Sequence, residues 1–374
     1  MDNDAPPTVD GPARAALAGA RNIAVFRALQ LGDLLCSVPA LRALRAAAPH
    51  ARILLVGLPW AREFVARFSH VVDEFVEFPG WPGLPERSPD LAAVPGFLAQ
   101  LQARRLDLAI QLHGSGPVVN EIVCLMGARA TAGFFLPGQW CPDPQRFVAW
   151  PDHLHEIERW LALTTKLGAP SAGTGLEFPI HPADHESLTA ALAGALEPGR
   201  YVVVHAGSQL PSRRWPPARF AQVADALAAL GLQVVLTGTA GEAPLVGAVR
   251  AAMHAPALDL AGRTTLGAVA ALIRDAALLV CNDTGVSHIA AALGTPSAVV
   301  CSGADAARWA PLDHGRHRVL AHPVPCRPCA HAVCPIEGHP CATGTSAEAV
   351  LAQGRALLDA HPAFRTEDPR ACAA

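Results

Sequence analysis

Three loops carry residue types and spacings that could do chemistry, and each follows an apolar run. The first is Ala28-Leu29-Gln30-Leu31-Gly32-Asp33, where the aspartate stands at the expected start of a helix. A carboxylate projecting there can act as a general base, although Asp ahead of an apolar helix is also a common cap. The second loop runs from His205 to Pro216 and holds Gly207, Ser208, Gln209, Arg213 and Arg214. Its small residues allow close approach of a ligand, and either arginine could grip a phosphate through its planar fork. A solvated basic loop closed by Trp215 is the plainer reading. The third loop, Asn282-Asp283-Thr284-Gly285-Val286-Ser287-His288, is the sharpest. A buried strand ending in Asn-Asp, with a helix opening at Thr-Gly, aims N–H groups and a positive dipole end at a diphosphate. Asp283 could accept from sugar hydroxyls, and His288, four residues after Thr284, shares its helix face. Capping for the first and core packing for the second are the alternatives.

A further cluster, Cys326-x2-Cys329-x4-Cys334-x6-Cys341, with His322, His331 and His339 nearby, has the density of a structural zinc site. It lacks the usual paired CxxC halves. Reduced cysteines or disulfides therefore stand beside zinc as readings, and no catalytic role falls to the cluster. The other six cysteines (Cys36, Cys124, Cys141, Cys281, Cys301, Cys372) are scattered and read as small apolar filler.

The loops need strands to hold them. Short β-rich runs alternate with Ala/Leu-rich helical stretches along nearly the whole chain, the pattern of βα units building parallel sheets. The pattern predicts strands at 22–27, 51–56, 72–78 and 106–112, and helices at 34–47, 91–104 and 155–167. A Gly/Pro/Ser-rich stretch follows, and after it strands at 201–205, 233–237, 257–260, 278–282 and 297–301 alternate with helices. The expected fold class is α/β, two successive doubly wound domains, which bind ligands at the carboxyl ends of their strands. The expected organisation is a disordered N-terminus over 1–20, an N-terminal domain over 21–170 and a linker at 171–182. A C-terminal domain over 183–345, including the Cys-rich segment 322–341, and a helix and tail over 346–374 complete it.

The 374 residues are 51% hydrophobic and 16% charged, which supports large buried cores and excludes a mainly disordered chain. A formal charge of -3 lacks the cationic excess of nucleic-acid binders, so no nucleic acid partner is expected. Lys166 is the single lysine, and any phosphate clamp here must be an arginine. Apolar runs are of strand length, short of a membrane span, and no secretory signal opens the chain; a cytoplasmic protein is expected. Phe134-Phe135-Leu136 and Trp140 could form a peripheral contact with the inner face of a membrane, burial in the core being the plainer reading.

The motifs together resemble glycosyltransferase family 9, the lipopolysaccharide heptosyltransferases. At the front these are Arg27, Gly32 and Asp33 with Pro39-Ala40-Leu41. In the second half they are His-Ala-Gly-Ser and Arg-Arg-Trp-Pro-Pro-Ala-Arg-Phe within 205–220, Leu-Ala-Gly-Arg-Thr-Thr-Leu at 260–266, Asn-Asp-Thr-Gly-Val-Ser-His at 282–288, and 302–311. The resemblance spans about 21–357, loosely over 79–182. It implies a GT-B architecture of two Rossmann-like domains facing across a cleft, with the acceptor on the N-terminal side. It further implies inverting, metal-independent transfer from ADP-heptose to a lipid-linked lipopolysaccharide core acceptor, with no cofactor required. On that model Asp33 is the base. Ser208 and Arg213 contact the diphosphate, as do Thr284, Gly285 and His288, while Asp283 contacts the sugar. Glu242 is similar to an acidic residue facing the nucleoside, Thr264 lies near the base pocket, and Gln209 stands where the family often has a hydroxyl residue. A non-catalytic nucleotide-sugar or glycan-binding protein on the same fold, or a transferase using another sugar donor, stays open beside this reading.

Overall fold

The computed structural model describes residues 16–192 and 194–360. The chain divides into two compact units, Met1–Gly175 and Leu176–Ala374, so the division falls inside the segment 171–182. Residues 171–181 carry no helix or strand.

In the first unit, β1 (Asn22–Phe26), β2 (Arg52–Gly57), β3 (Glu74–Glu77), β4 (Leu108–Gln111), β5 (Ala130–Phe135) and β6 (Phe147–Ala149) form one sheet in the order β3-β2-β1-β4-β5-β6. Every pairing is parallel. The second unit contributes β7 (Tyr201–His205), β8 (Gln233–Thr237), β9 (Ala257–Asp259), β10 (Leu278–Asn282), β11 (Ser297–Val300) and β12 (His317–Leu320). They run β12-β11-β10-β7-β8-β9, again all parallel. Both orders are 3-2-1-4-5-6 within their own unit, the Rossmann arrangement. The strand order therefore reverses between β1 and β4 in one unit and between β7 and β10 in the other. At such a reversal the flanking loops diverge and leave room for a ligand.

Central strands read as unbroken apolar runs because helices cover both faces. All five residues of β7 and of β10 are buried. The Trp215 side chain seals the second core, its ring edge-on to Phe220 at 4.9 Å between centroids. In the first unit Phe134 packs edge-on against Trp150 and Trp160 at 5.3 and 5.4 Å. Phe134 is thus core, whereas Trp140 is 56% exposed.

Several elements were not predicted. Strands β5, β6 and β12, and helices Ala61–Arg67, Val119–Leu125 and Pro182–Ala191, are short or polar enough that periodicity does not announce them. The helix predicted from residue 34 starts at Leu31 and runs to Ala47. The N-terminal expectation is corrected in part: residues 1–15 lie outside the described region, but Leu17 and Ala20 are buried. Residues 361–374 of the expected tail, Cys372 among them, also lie outside it; the final helix is Ala347–Asp359.

Candidate functional site

At the reversal point of the first unit, Arg27 leaves the end of β1 and is fully buried. Its Nε donates to the Asp33 carbonyl at 2.7 Å, and a second guanidinium nitrogen donates to the Leu112 carbonyl just beyond β4. A third nitrogen pairs with Glu156 at 3.4 Å, and the guanidinium lies 4.4 Å from the Trp160 ring centroid. One side chain therefore ties the ends of β1 and β4 to the helix Leu31–Ala47 and to the helix Glu156–Lys166. The early helix start moves Asp33 from the cap position into the first turn, where its side chain still takes part in capping. Gln30 occupies the cap position, and Asp33, three residues in, turns its Oδ2 back to accept from the Gln30 N–H at 3.2 Å. The residue remains half-buried rather than enclosed.

Sequence reasoning missed His113 here, in the loop after β4. Its Nδ1 lies 3.2 Å from the Ala28 N–H, and its Nε2 lies 3.4 Å from Glu86 Oε1. The Glu86 carboxyl sits below its ordinary pKa: burial pushes it up, but the hydrogen bond and charge of His113 outweigh that. The signal in the sequence was position, since Leu112-His113-Gly114 follows the strand beside β1.

In the second unit Asn282, at the last position of β10, crosses the reversal point. Its Oδ1 accepts from the Trp215 N–H at 2.9 Å, and its Nδ2 donates to the Ala206 carbonyl at 2.7 Å. The loop after β7 is thereby fixed to the end of β10. Within that loop the structure separates the two arginines. Arg214 Nε donates to the Ser208 carbonyl at 2.9 Å, so Arg214 is a brace. Arg213 Nε is buried with no hydrogen-bond partner, and its charge acts on Asp283. Ser208 is buried and Gln209 exposed.

Asp283 is held above the ordinary carboxylate range by burial, against the pull of Arg213, a hydrogen bond from Cys301 and the charge of Arg327. Thr284 is the cap residue of helix Gly285–Leu293, in extended backbone, and its side chain makes no capping bond. The first N–H groups of a helix lack intrahelical partners, so Thr284 Oγ1 and the Gly285 end form one donor surface. His288 is 5% exposed and its ring meets Trp309 edge-on at 6.5 Å between centroids.

Glu242 is brought to the same edge. A Cβ added to Gly207 would collide with its Oε1, so the glycine is required by the carboxylate lying over its backbone. Glu242 Oε2 also accepts from the Thr239 N–H at 2.8 Å. Its charge partly offsets the burial that drives the His205 pKa down. Thr264 lies in the loop after β9, where its hydroxyl is buried without a partner. The structure thus gathers Arg213 and Asp283, places Glu242 against Gly207 beside Ser208, and leaves Gln209 outward.

Among the described residues no group of three or more His, Cys, Asp or Glu side chains could hold a metal ion, the quartet Cys326, Cys329, Cys334 and Cys341 included. All four are free thiols. Burial raises the Cys341 thiol, and the neighbouring Cys334, Cys326 and Cys329 add to that rise. A cavity of about 920 Å³ is lined by Asp225, Gln233 and His254 among others; it sits at the opening ends of β8 and β9, away from these loops. Among the described residues no helix is long and apolar enough to cross a membrane.

The family model described as glycosyltransferase family 9 (heptosyltransferase) matches residues 97–339. Among solved structures, the glycosyltransferase family 9 protein of Veillonella parvula is 22% identical, with a TM-score of 0.72 over 91% of this chain and 98% of its own. The ADP-heptose LPS heptosyltransferase II of E. coli is 22% identical, with a TM-score of 0.68 over 90% and 98%. E. coli heptosyltransferase WaaC, solved with ADP, is 21% identical, with a TM-score of 0.57 over 81% and 93%. At such identities the likeness is one of fold, and the fold is the α/β GT-B class. No curated protein matches the chain.

Proposed function

The chain belongs to glycosyltransferase family 9, and from that premise we propose that it transfers a heptose, or a closely related sugar, from an ADP-linked donor to a lipid-linked glycan acceptor with inversion. The observation that carries the reading is the donor surface of the second unit. Arg213 with an unpartnered Nε, the uncommitted Thr284 hydroxyl and the Gly285 helix end together suit a diphosphate. The solved relatives named above for ADP-heptose and ADP support the choice of nucleotide.

In this account Asp33 takes the proton of the acceptor hydroxyl as its oxygen bonds to the anomeric carbon. The bond from that carbon to the diphosphate oxygen breaks, and ADP leaves. Negative charge grows on the departing phosphate, where Arg213, Ser208, Thr284, Gly285 and His288 stabilise it. Asp283 and Glu242 accept hydrogen bonds from sugar and nucleoside hydroxyls, and Thr264 borders the base. Gln209 faces outward at the donor loop. The acceptor carries a lipid, so the enzyme works at the inner membrane face, in the cytoplasm. No step calls for a metal.

The test is product formation from ADP-heptose with a heptose-accepting lipopolysaccharide core. ADP release only when the acceptor is present, with inverted anomeric configuration by NMR, supports the proposal. Donor binding without release under any acceptor assigns the chain to the binding proteins instead.

A further inference from the structure

The cysteine-rich segment meets the donor loops. Ser212, immediately before Arg213, makes three hydrogen bonds, all to that segment. Its N–H donates to the Ala332 carbonyl at 3.0 Å and its hydroxyl to the His331 carbonyl at 2.6 Å. Its own carbonyl lies 2.8 Å from His339 Nε2, which must be the donor because a carbonyl only accepts. The short turn Pro211–Arg213 is thus held from outside its own loop, over a sequence distance of more than a hundred residues.

The segment is itself tied to the loop that follows β11. Arg327 donates to the carbonyls of Cys301 and His322, each at 3.0 Å, and the Cys329 N–H donates to Gly303 at 2.8 Å. Gly303 lies close to Arg213: a Cβ there would sit 3.9 Å from Arg213 Cγ. His339 adopts a left-handed backbone, φ 47° and ψ 62°. That conformation is costly for a residue with a Cβ and persists only where the surroundings impose it. Here it coincides with the ring that reaches Ser212.

We infer that segment 322–341 is part of the donor site and that His339 is a positioning residue, fixing Arg213 for the diphosphate through Ser212. The inference rests on the donor reading above and adds a group that makes no contact with the donor itself. Losing the ring leaves the Ser212–Arg213 turn freer, so Arg213 must be ordered at the moment of binding.

The test is calorimetric titration of ADP and of adenosine into the full chain and its variants. His339→Gly removes the ring while accepting the left-handed backbone, and His339→Gln restores an N–H donor. His339→Gly should weaken ADP about tenfold, the worth of one fixing hydrogen bond, and leave adenosine unchanged. His339→Gln should recover most of the loss. In an Arg213→Ala background, His339→Gly should cost nothing more, because groups acting through one another are not additive. Multiplying losses in the double variant, an equal loss of adenosine, or unchanged ADP affinity in His339→Gly each overturns the positioning role alone. Wild-type protein that binds no ADP overturns the donor reading and this inference with it.

Discussion

The two units share a strand order and differ in what they set at the point where it reverses. In the first, the ends of β1 and β4 are joined by a buried cation: Arg27 bonds across the gap and pairs with Glu156, while the half-buried Asp33 carboxylate stands above it. In the second, β7 and β10 are joined by a neutral amide, Asn282, while Arg213, Thr284 and a helix N-terminus stand above. One unit presents a proton acceptor and the other a set of proton donors. The fold is the same, so the division of labour between acceptor chemistry and leaving-group chemistry lies in the loops.

The sharpest way to break that contrast is to neutralise the carboxylate. Asp33→Asn keeps the side-chain shape and should lower turnover by about 10²–10⁴-fold, the usual worth of a general base. Unimpaired product formation in that variant would remove Asp33 from the role.

The two bolts differ in kind, and their removal should differ in cost. Arg27→Met takes one cation from the buried Glu156, which also pairs with Arg159 at 3.4 Å. Breaking such a pair costs about 3–5 kcal/mol, to be read from urea unfolding. Asn282→Ala strands the Trp215 N–H and the Ala206 carbonyl and should cost less, about 2–3 kcal/mol. A larger loss at Asn282 than at Arg27 would reverse the comparison.

A smaller effect belongs to the second unit alone. His317 on β12 is buried against Ser297 Oγ at 2.8 Å, and burial depresses its pKa to about 4. Between about 4 and the ordinary 6.5, the unfolded chain holds a proton that the folded chain does not. Stability is therefore fully present above 6.5 and falls as pH drops through that window. His317→Asn should flatten the dependence of the unfolding midpoint between pH 7 and pH 5 in the second unit.

The sequence showed where to look because parallel strands are apolar runs and the residues after them stand out by contrast. Asp33, Ser208, Arg213 and the Asp283–His288 loop were all legible as loop residues following such runs. Whether Arg213 or Arg214 was the uncommitted cation was not legible, because the answer lies in which carbonyl Arg214 reaches. The roles of Asn282, His113 and His339 were hidden for a similar reason. Each acts through a partner distant in sequence, and neither periodicity nor motif spacing encodes that pairing. The cysteine quartet was legible as a cluster, whereas the bonds from its segment to Ser212 were not.

The central claim is that donor binding and proton removal reside in different units. The measurement is ADP affinity by calorimetry for wild type, Asp33→Asn and Arg213→Gln side by side. The account requires Asp33→Asn to bind ADP as wild type does, and Arg213→Gln to bind it about ten- to a hundredfold more weakly, the worth of a charged hydrogen bond to phosphate. Equal loss in both variants, or no loss in Arg213→Gln, would contradict it.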